Sequence, residues 1–213
     1  EKNLDFDTVI DRTHTNSLKY DFAVQRGKPK DVLPLWVADM DFQVSSYIQE
    51  ALSGSVAHGI FGYSEAEGSY FEAVAGWMSR HYGWNVEETW LVKTPGIVFA
   101  LAQAVRAFTE PGDAVLLQQP VYYPFSQVIR DNGRKIVDNT LVQGEDGRYR
   151  IDFTDFEEKI RSCKVKLFFL CNPHNPVGRV WTKEELLRLG DICERYGVIV
   201  VSDEIHADFV FEG

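Results

Sequence analysis

The chain has 213 residues, 45% of them hydrophobic, enough to bury a core in one large domain or one domain plus part of another. Its 22 Lys and Arg against 32 Asp and Glu leave a formal charge of −10. That balance argues against nucleic acid or an anionic membrane as partner, because both require clustered basic side chains. Cys163, Cys171 and Cys193 are odd in number and lack CxxC spacing. They read as small core residues of a reduced protein, with the cytoplasm as its expected compartment. No apolar run reaches membrane-spanning length, and Glu1 to Asp5 show no basic start leading into an apolar core, so neither a span nor a signal peptide is read.

Residues 1–45, with Pro29, Pro34 and scattered charges, read as an extended arm, and a large domain is expected over residues 46–213. Ser64 to Glu67 offers a capping box ahead of Tyr70, Phe71, Val74, Trp77 and Met78. Thr94-Pro95-Gly96 then opens a helix whose Ile97, Val98, Leu101, Ala104, Val105 and Phe108 recur at helical spacing, with the side chains of Ile97 and Val98 expected in the core. Pro111-Gly112-Asp113 stops it before the first of three apolar runs, Ala114 to Leu117; the others are Val165 to Leu170 and Val198 to Val201. These runs are nearly continuous, as expected of strands covered on both faces of a largely parallel sheet. Between the last two, Thr182 and Glu185 form a second capping box, Leu186, Leu189, Ile192 and Cys193 share one face, and Gly197 ends the helix. The alternation predicts an α/β fold, a three-layer α/β/α sandwich on a mainly parallel mixed sheet.

In open α/β sheets ligands gather at the carboxyl ends of the strands. After Leu170 comes Cys171-Asn172-Pro173-His174-Asn175-Pro176-Val177-Gly178, and after Val201 comes Ser202-Asp203-Glu204-Ile205-His206. Together with Pro95-Gly96 they are polar clusters at strand ends or a helix start. A metal site is the competing reading, since Asp203, Glu204, His206 and Asp208 are ligand types within six positions. Strand alternation points neighbouring side chains apart, however, and HExxH and cysteine clusters are missing from the sequence. It has no GxGxxG after a strand, no Walker loop and no GxSxG elbow.

The NPxNPxG run followed by an apolar strand ending in Ser202-Asp203-Glu204 resembles fold type I enzymes dependent on pyridoxal 5′-phosphate (PLP), the aspartate-aminotransferase-like superfamily. Pro34 to Phe42, Gly59 to Tyr63 and Asp203 to His206 resemble its bacterial cystathionine β-lyase or C–S lyase branch. The resemblance implies that Asp203 pairs with the protonated pyridine nitrogen and that Asn175 donates to the phenolic oxygen, although Asn-Pro is also a frequent turn dipeptide. It implies that Tyr122, favoured over Tyr123 by its spacing from Pro120, stacks on the ring. Gly96, Ile97 and Val98 match the phosphate cup; Val98 replaces the usual hydroxyl residue, so only main chain would contribute. His206 stands where transaminases of this fold carry a Tyr. That departure favours the lyase branch and leaves the contact of His206 with the cofactor open.

Tyr63 matches a tyrosine that reaches the neighbouring subunit's phosphate, which implies a homodimer. The resemblance further implies a lysine that holds the cofactor, a few tens of residues after Asp203. Lys164, Lys166 and Lys183 do not match it, so it is expected beyond Gly213 in a longer enzyme. The implied activity is β-elimination on a small amino-acid substrate, cystathionine or a cysteine S-conjugate, giving pyruvate, ammonia and a thiol. An aminotransferase is the alternative, and a catalytically inactive binding relative the alternative from another class.

Overall fold

The computed structural model describes residues 5–211. The start read for a signal peptide and the final Gly213 thus fall partly or wholly outside the described residues. The chain divides into two compact units, with the break after Val74.

In the first unit, Arg12 grips Asp39 (2.6 Å) and Asp41 (2.5 Å). The buried Lys19 ammonium donates to the Asp39 carbonyl (2.9 Å) and reaches Asp41 at 3.4 Å. Arg12 holds the Asp41 carboxyl below the usual carboxylate range. Helix α1 (Ser46–His58) buries none of its residues and ends at Gly59, whose φ of +74° is the left-handed cap that glycine adopts without a Cβ penalty. Helix α2 spans Gly68–Tyr82. It includes Tyr70 to Met78 as expected, but the Ser64 capping box does not form. Residues 59–67 are not helical, and the first turn starts at Gly68, where the Glu67 carbonyl accepts from Tyr70 N.

The second unit holds the sheet. Helix α3 (Ile97–Phe108) leads through a turn into β1 (Ala114–Leu117); α4 (Tyr123–Asp131), β2 (Lys135–Asp138), a short antiparallel hairpin of β3 (Val142–Gln143) and β4 (Tyr149–Arg150), α5 (Phe153–Cys163), β5 (Val165–Cys171), α6 (Lys183–Tyr196) and β6 (Ile199–Asp203) follow. The main sheet has the order β2-β1-β5-β6, parallel throughout. Leu116, Phe156, Ile160, Phe168, Trp181 and Leu189 form the core on one face, with α5 and α6. Leu101, Val105, Val115, Phe125, Ile129 and Phe169 form it on the other, with α3 and α4. These are the three expected layers.

The three apolar runs all became strands, but only β1 and β5 are covered on both faces. Ile199 and Val200 of β6 are each 40% exposed, because β6 is the sheet's edge among the described residues. Ile97 and Val98, expected in the core, are also exposed; only Leu101 and Val105 of α3 are buried. The second capping box forms in full: Thr182 accepts from Glu185 N, and the Glu185 carboxylate accepts from Thr182 N at 2.8 Å. Gly197 closes α6 with φ +66°. Among the described residues, no helix is long and apolar enough to cross a membrane.

Candidate functional site

The loops after β1, β5 and β6 meet at the carboxyl edge of the sheet. β5 and β6 run in register to Cys171 and Asp203, and one residue further Asn172 N donates to the Asp203 carbonyl at 3.0 Å. The loop from β1 joins them where Tyr122 N donates to the Asn175 carbonyl at 3.0 Å. Backbone bonds therefore bring together the segments that carry Tyr122, Asn175 and Asp203.

Each side chain in this set keeps polar capacity in reserve. Asp203 is 9% exposed, and its Oδ1 accepts from Ile205 N at 3.1 Å, a turn that keeps the carboxylate at the strand end. Asn175 is half-buried, and its side-chain amide makes no hydrogen bond among the described residues. Tyr122 precedes α4 as its N-cap, with its ring edge-on to Phe125 at 6.4 Å. Helix α3, which packs on β5 and β6, starts at Gly96 with no side-chain cap, so its first amides have no intrahelical acceptor. Gly96 has φ +155° and ψ 162°, a region essentially reserved for glycine. A Cβ there would meet nothing within 4 Å, so backbone conformation and not space demands the glycine.

His206 follows at the start of a 3-10 turn, Ala207–Phe209, half-buried and making no side-chain cap. Tyr63 belongs to the first unit and is fully exposed. Lys164 and Lys166 flank the amino end of β5, and Lys183 opens α6 exposed. Among the described residues, no three His, Cys, Asp or Glu side chains gather closely enough to hold a metal ion.

A group without a motif signature of its own braces the β5 loop. Trp181 is 2% exposed; its Nε1 donates to the Cys171 carbonyl (3.0 Å) and its backbone N to Asn172 Oδ1 (3.1 Å). Arg179 lies over the Trp181 ring at 4.6 Å and pairs with Glu185 at 2.7 Å, which ties the loop to the capping box of α6. His174 is buried against the same Trp181 ring. An aromatic just after an NPxNPxG run was the signal available.

Electrostatics single out Cys171. Burial pushes its thiol up to about 11, with the Asp203 charge adding and the Asn175 N–H opposing. Burial alone takes Cys193 to about 12. Only Cys163 is exposed. We therefore expect a thiol reagent at pH 8 to modify Cys163 in the native protein, and Cys171 and Cys193 only after unfolding. A Cys163→Ser variant should lose the native reaction, and rapid labelling that persists in it would contradict the burial. In both buried cysteines the folded state favours the neutral thiol. Their contribution to stability is therefore present below the ordinary thiol value of 9.0 and is lost as pH rises toward about 11 for Cys171.

Residues 30–213 match the family model described as Aminotransferase class I and II. The chain belongs to that family. Within this aminotransferase family, it is 48% identical over 210 residues to cystathionine beta-lyase PatB of Bacillus subtilis, covering 99% of this chain and 54% of that protein. Protein MalY of Escherichia coli is 35% identical, over 97% of this chain and 53% of its own length. Among solved structures, cystalysin from Treponema denticola, which contains a pyridoxal 5′-phosphate cofactor, superposes with a TM-score of 0.91 at 38% identity, over 99% of this chain and 54% of that one. The chain spans about half the length of these relatives. The family expected from NPxNPxG and Ser202-Asp203-Glu204 is the family found, and these relatives include the expected lyase branch.

Proposed function

We propose that the chain is the cofactor-binding part of a PLP-dependent carbon–sulfur β-lyase. The reading is carried by the convergence at one sheet edge of a nearly buried acid, Asp203, with the uncommitted amide of Asn175. The donor set fits PLP in kind. Asp203 would face the pyridine nitrogen and hold a proton there, because a carboxylate close to that nitrogen favours its charged form. The Asn175 amide would donate to the phenolic oxygen. The Tyr122 ring would cover one face of the pyridine and exclude water. Amides of Gly96, Ile97 and Val98 would take the phosphate, where the helix dipole and unpaired N–H groups favour an anion. His206, next to this edge, is the remaining candidate contact. Bound there, PLP supplies an electron sink for the pair left at the substrate Cα when its proton departs.

The overall reaction takes a cysteine thioether such as cystathionine and one water to a thiol, pyruvate and ammonia, with no external oxidant. Substrate choice within small amino-acid thioethers follows the relatives named above. A homodimer is part of the proposal: α1 leaves Ile48, Leu52 and Val56 exposed four residues apart, with Ile60, Phe61 and Tyr63 exposed just after. A second copy would cover this stripe, and Tyr63 would reach its phosphate site. Residues 1–45 would form the arm and residues 46–213 the large domain, in a cytoplasmic enzyme.

The test is to express the protein from its complete coding sequence, add PLP and incubate it with cystathionine, with and without a keto acid. Pyruvate formed in step with free thiol, independent of the keto acid, is the expected result. Amino acid formed only when keto acid is supplied would turn the assignment to an aminotransferase. A protein that takes up no PLP would overturn the reading.

A further inference from the structure

Tyr122 and Asn175 sit on loops from different strands, and one buried side chain spans the two. His174 is 2% exposed, immediately precedes Asn175, and places Nε2 3.0 Å from the carbonyl oxygen of Pro120, two residues before Tyr122. Its own backbone is held at both groups: His174 N donates to the Arg179 carbonyl (2.7 Å), and its carbonyl accepts from Gly178 N (2.8 Å). Its ring meets Trp181 edge-on, with centroids 5.5 Å apart at 83°.

A carbonyl oxygen can only accept, so Nε2 carries the proton. Nδ1 is buried and makes no hydrogen bond among the described residues, although the Cys171 and Gln118 carbonyls also lie near the ring. Burial pushes the imidazole below its ordinary value, against the opposing pull of the Pro120, Cys171 and Gln118 carbonyls.

We propose that His174 is a positioning residue: its Nε2–H bond to the Pro120 carbonyl sets the gap between the Tyr122 ring and the Asn175 amide, and so the slot that receives the cofactor ring. The proposal rests on the PLP reading above. The direct backbone link between the loops, which emerge from the paired strands β1 and β5, is one bond, Tyr122 N to the Asn175 carbonyl. The histidine adds a second point of attachment, which together with the paired strands β1 and β5 restricts how the loops turn against each other. The donor must project as far as Nε2, so a side chain matching only Nδ1 cannot replace it. Glutamine's terminal nitrogen falls near Nε2 and asparagine's near Nδ1, while phenylalanine keeps the volume without a donor.

The experiment uses the protein from its complete coding sequence. PLP affinity is titrated by absorbance for the unsubstituted protein and for His174→Gln, His174→Asn and His174→Phe, and each melting temperature is measured without PLP. Glutamine is expected to stay close to the unsubstituted affinity, while asparagine and phenylalanine weaken it about tenfold, the scale of one buried hydrogen bond. Affinities that are equal across the variants, or that follow melting temperature with glutamine no better than asparagine, would overturn the positioning role. Nitrogen NMR of the unsubstituted protein gives a check that no variant's folding can confound: a proton on Nε2 supports the clamp, and one on Nδ1 overturns it. If the unsubstituted protein binds no PLP, the cofactor reading fails and the positioning role with it, while the NMR result still decides the bond.

Discussion

Under the proposed lyase activity, Asp203→Asn in the PLP-loaded protein from its complete coding sequence is expected to lower kcat/KM for cystathionine by about 10- to 1000-fold while leaving the fold in place. A nearby opposite charge shifts a partner's pKa by about 1–3 units. Each unit is worth about 1.4 kcal/mol, or a factor of ten in rate where the charged form is needed in the transition state. Asparagine keeps an oxygen where Asp203 Oδ1 accepts from Ile205 N at 3.1 Å, so the turn after β6 survives. The expected change in stability is therefore under about 1 kcal/mol. Steady-state kinetics beside a thermal melt separate the two effects. A variant within about threefold of the parent in kcat/KM would remove Asp203 from the chemistry.

The largest effect on stability is expected from Trp181→Ala, about 3–5 kcal/mol. The indole is 2% exposed inside the core on the α5 and α6 face, so alanine leaves a cavity between α6 and the β5 loop. The Cys171 carbonyl also loses the donor that Nε1 provides, and Arg179 loses the ring it lies over. Trp181→Phe keeps most of the volume and forfeits the hydrogen bond, so a smaller loss of about 1–3 kcal/mol is expected there. Urea unfolding measures both through the midpoint at constant slope. Equal losses would mean that the bond, and not the packing, carries the effect. A loss under about 1 kcal/mol for alanine would contradict the burial.

The sheet was legible because β1 and β5 are short apolar runs whose every functional neighbour follows at the carboxyl end. α6 was legible because Thr182, Glu185 and Gly197 are local signals, complete within their own turns. The failures have one physical source. Periodicity records spacing and not what lies opposite: Ile97, Val98, Ile199 and Val200 have core chemistry yet are exposed. The Ser64 box had the right residues, but its helix starts at Gly68. β2 escaped notice because Lys135-Ile136-Val137-Asp138 is short, charged at both ends and on an edge. In the site, Asp203 and Asn175 announced themselves by motif. His174 and Trp181 did not, because their roles are contacts with Pro120 and with the Cys171 carbonyl, set by the fold.

A crystal structure of the protein with PLP decides whether this sheet edge holds the cofactor. The pyridine nitrogen is expected within hydrogen-bond distance of the Asp203 carboxylate, the phenolic oxygen on the Asn175 amide, and the phosphate on the amides of Gly96, Ile97 and Val98. A cofactor ring bound with Asp203 out of reach, or a phosphate held away from the start of α3, would contradict this placement.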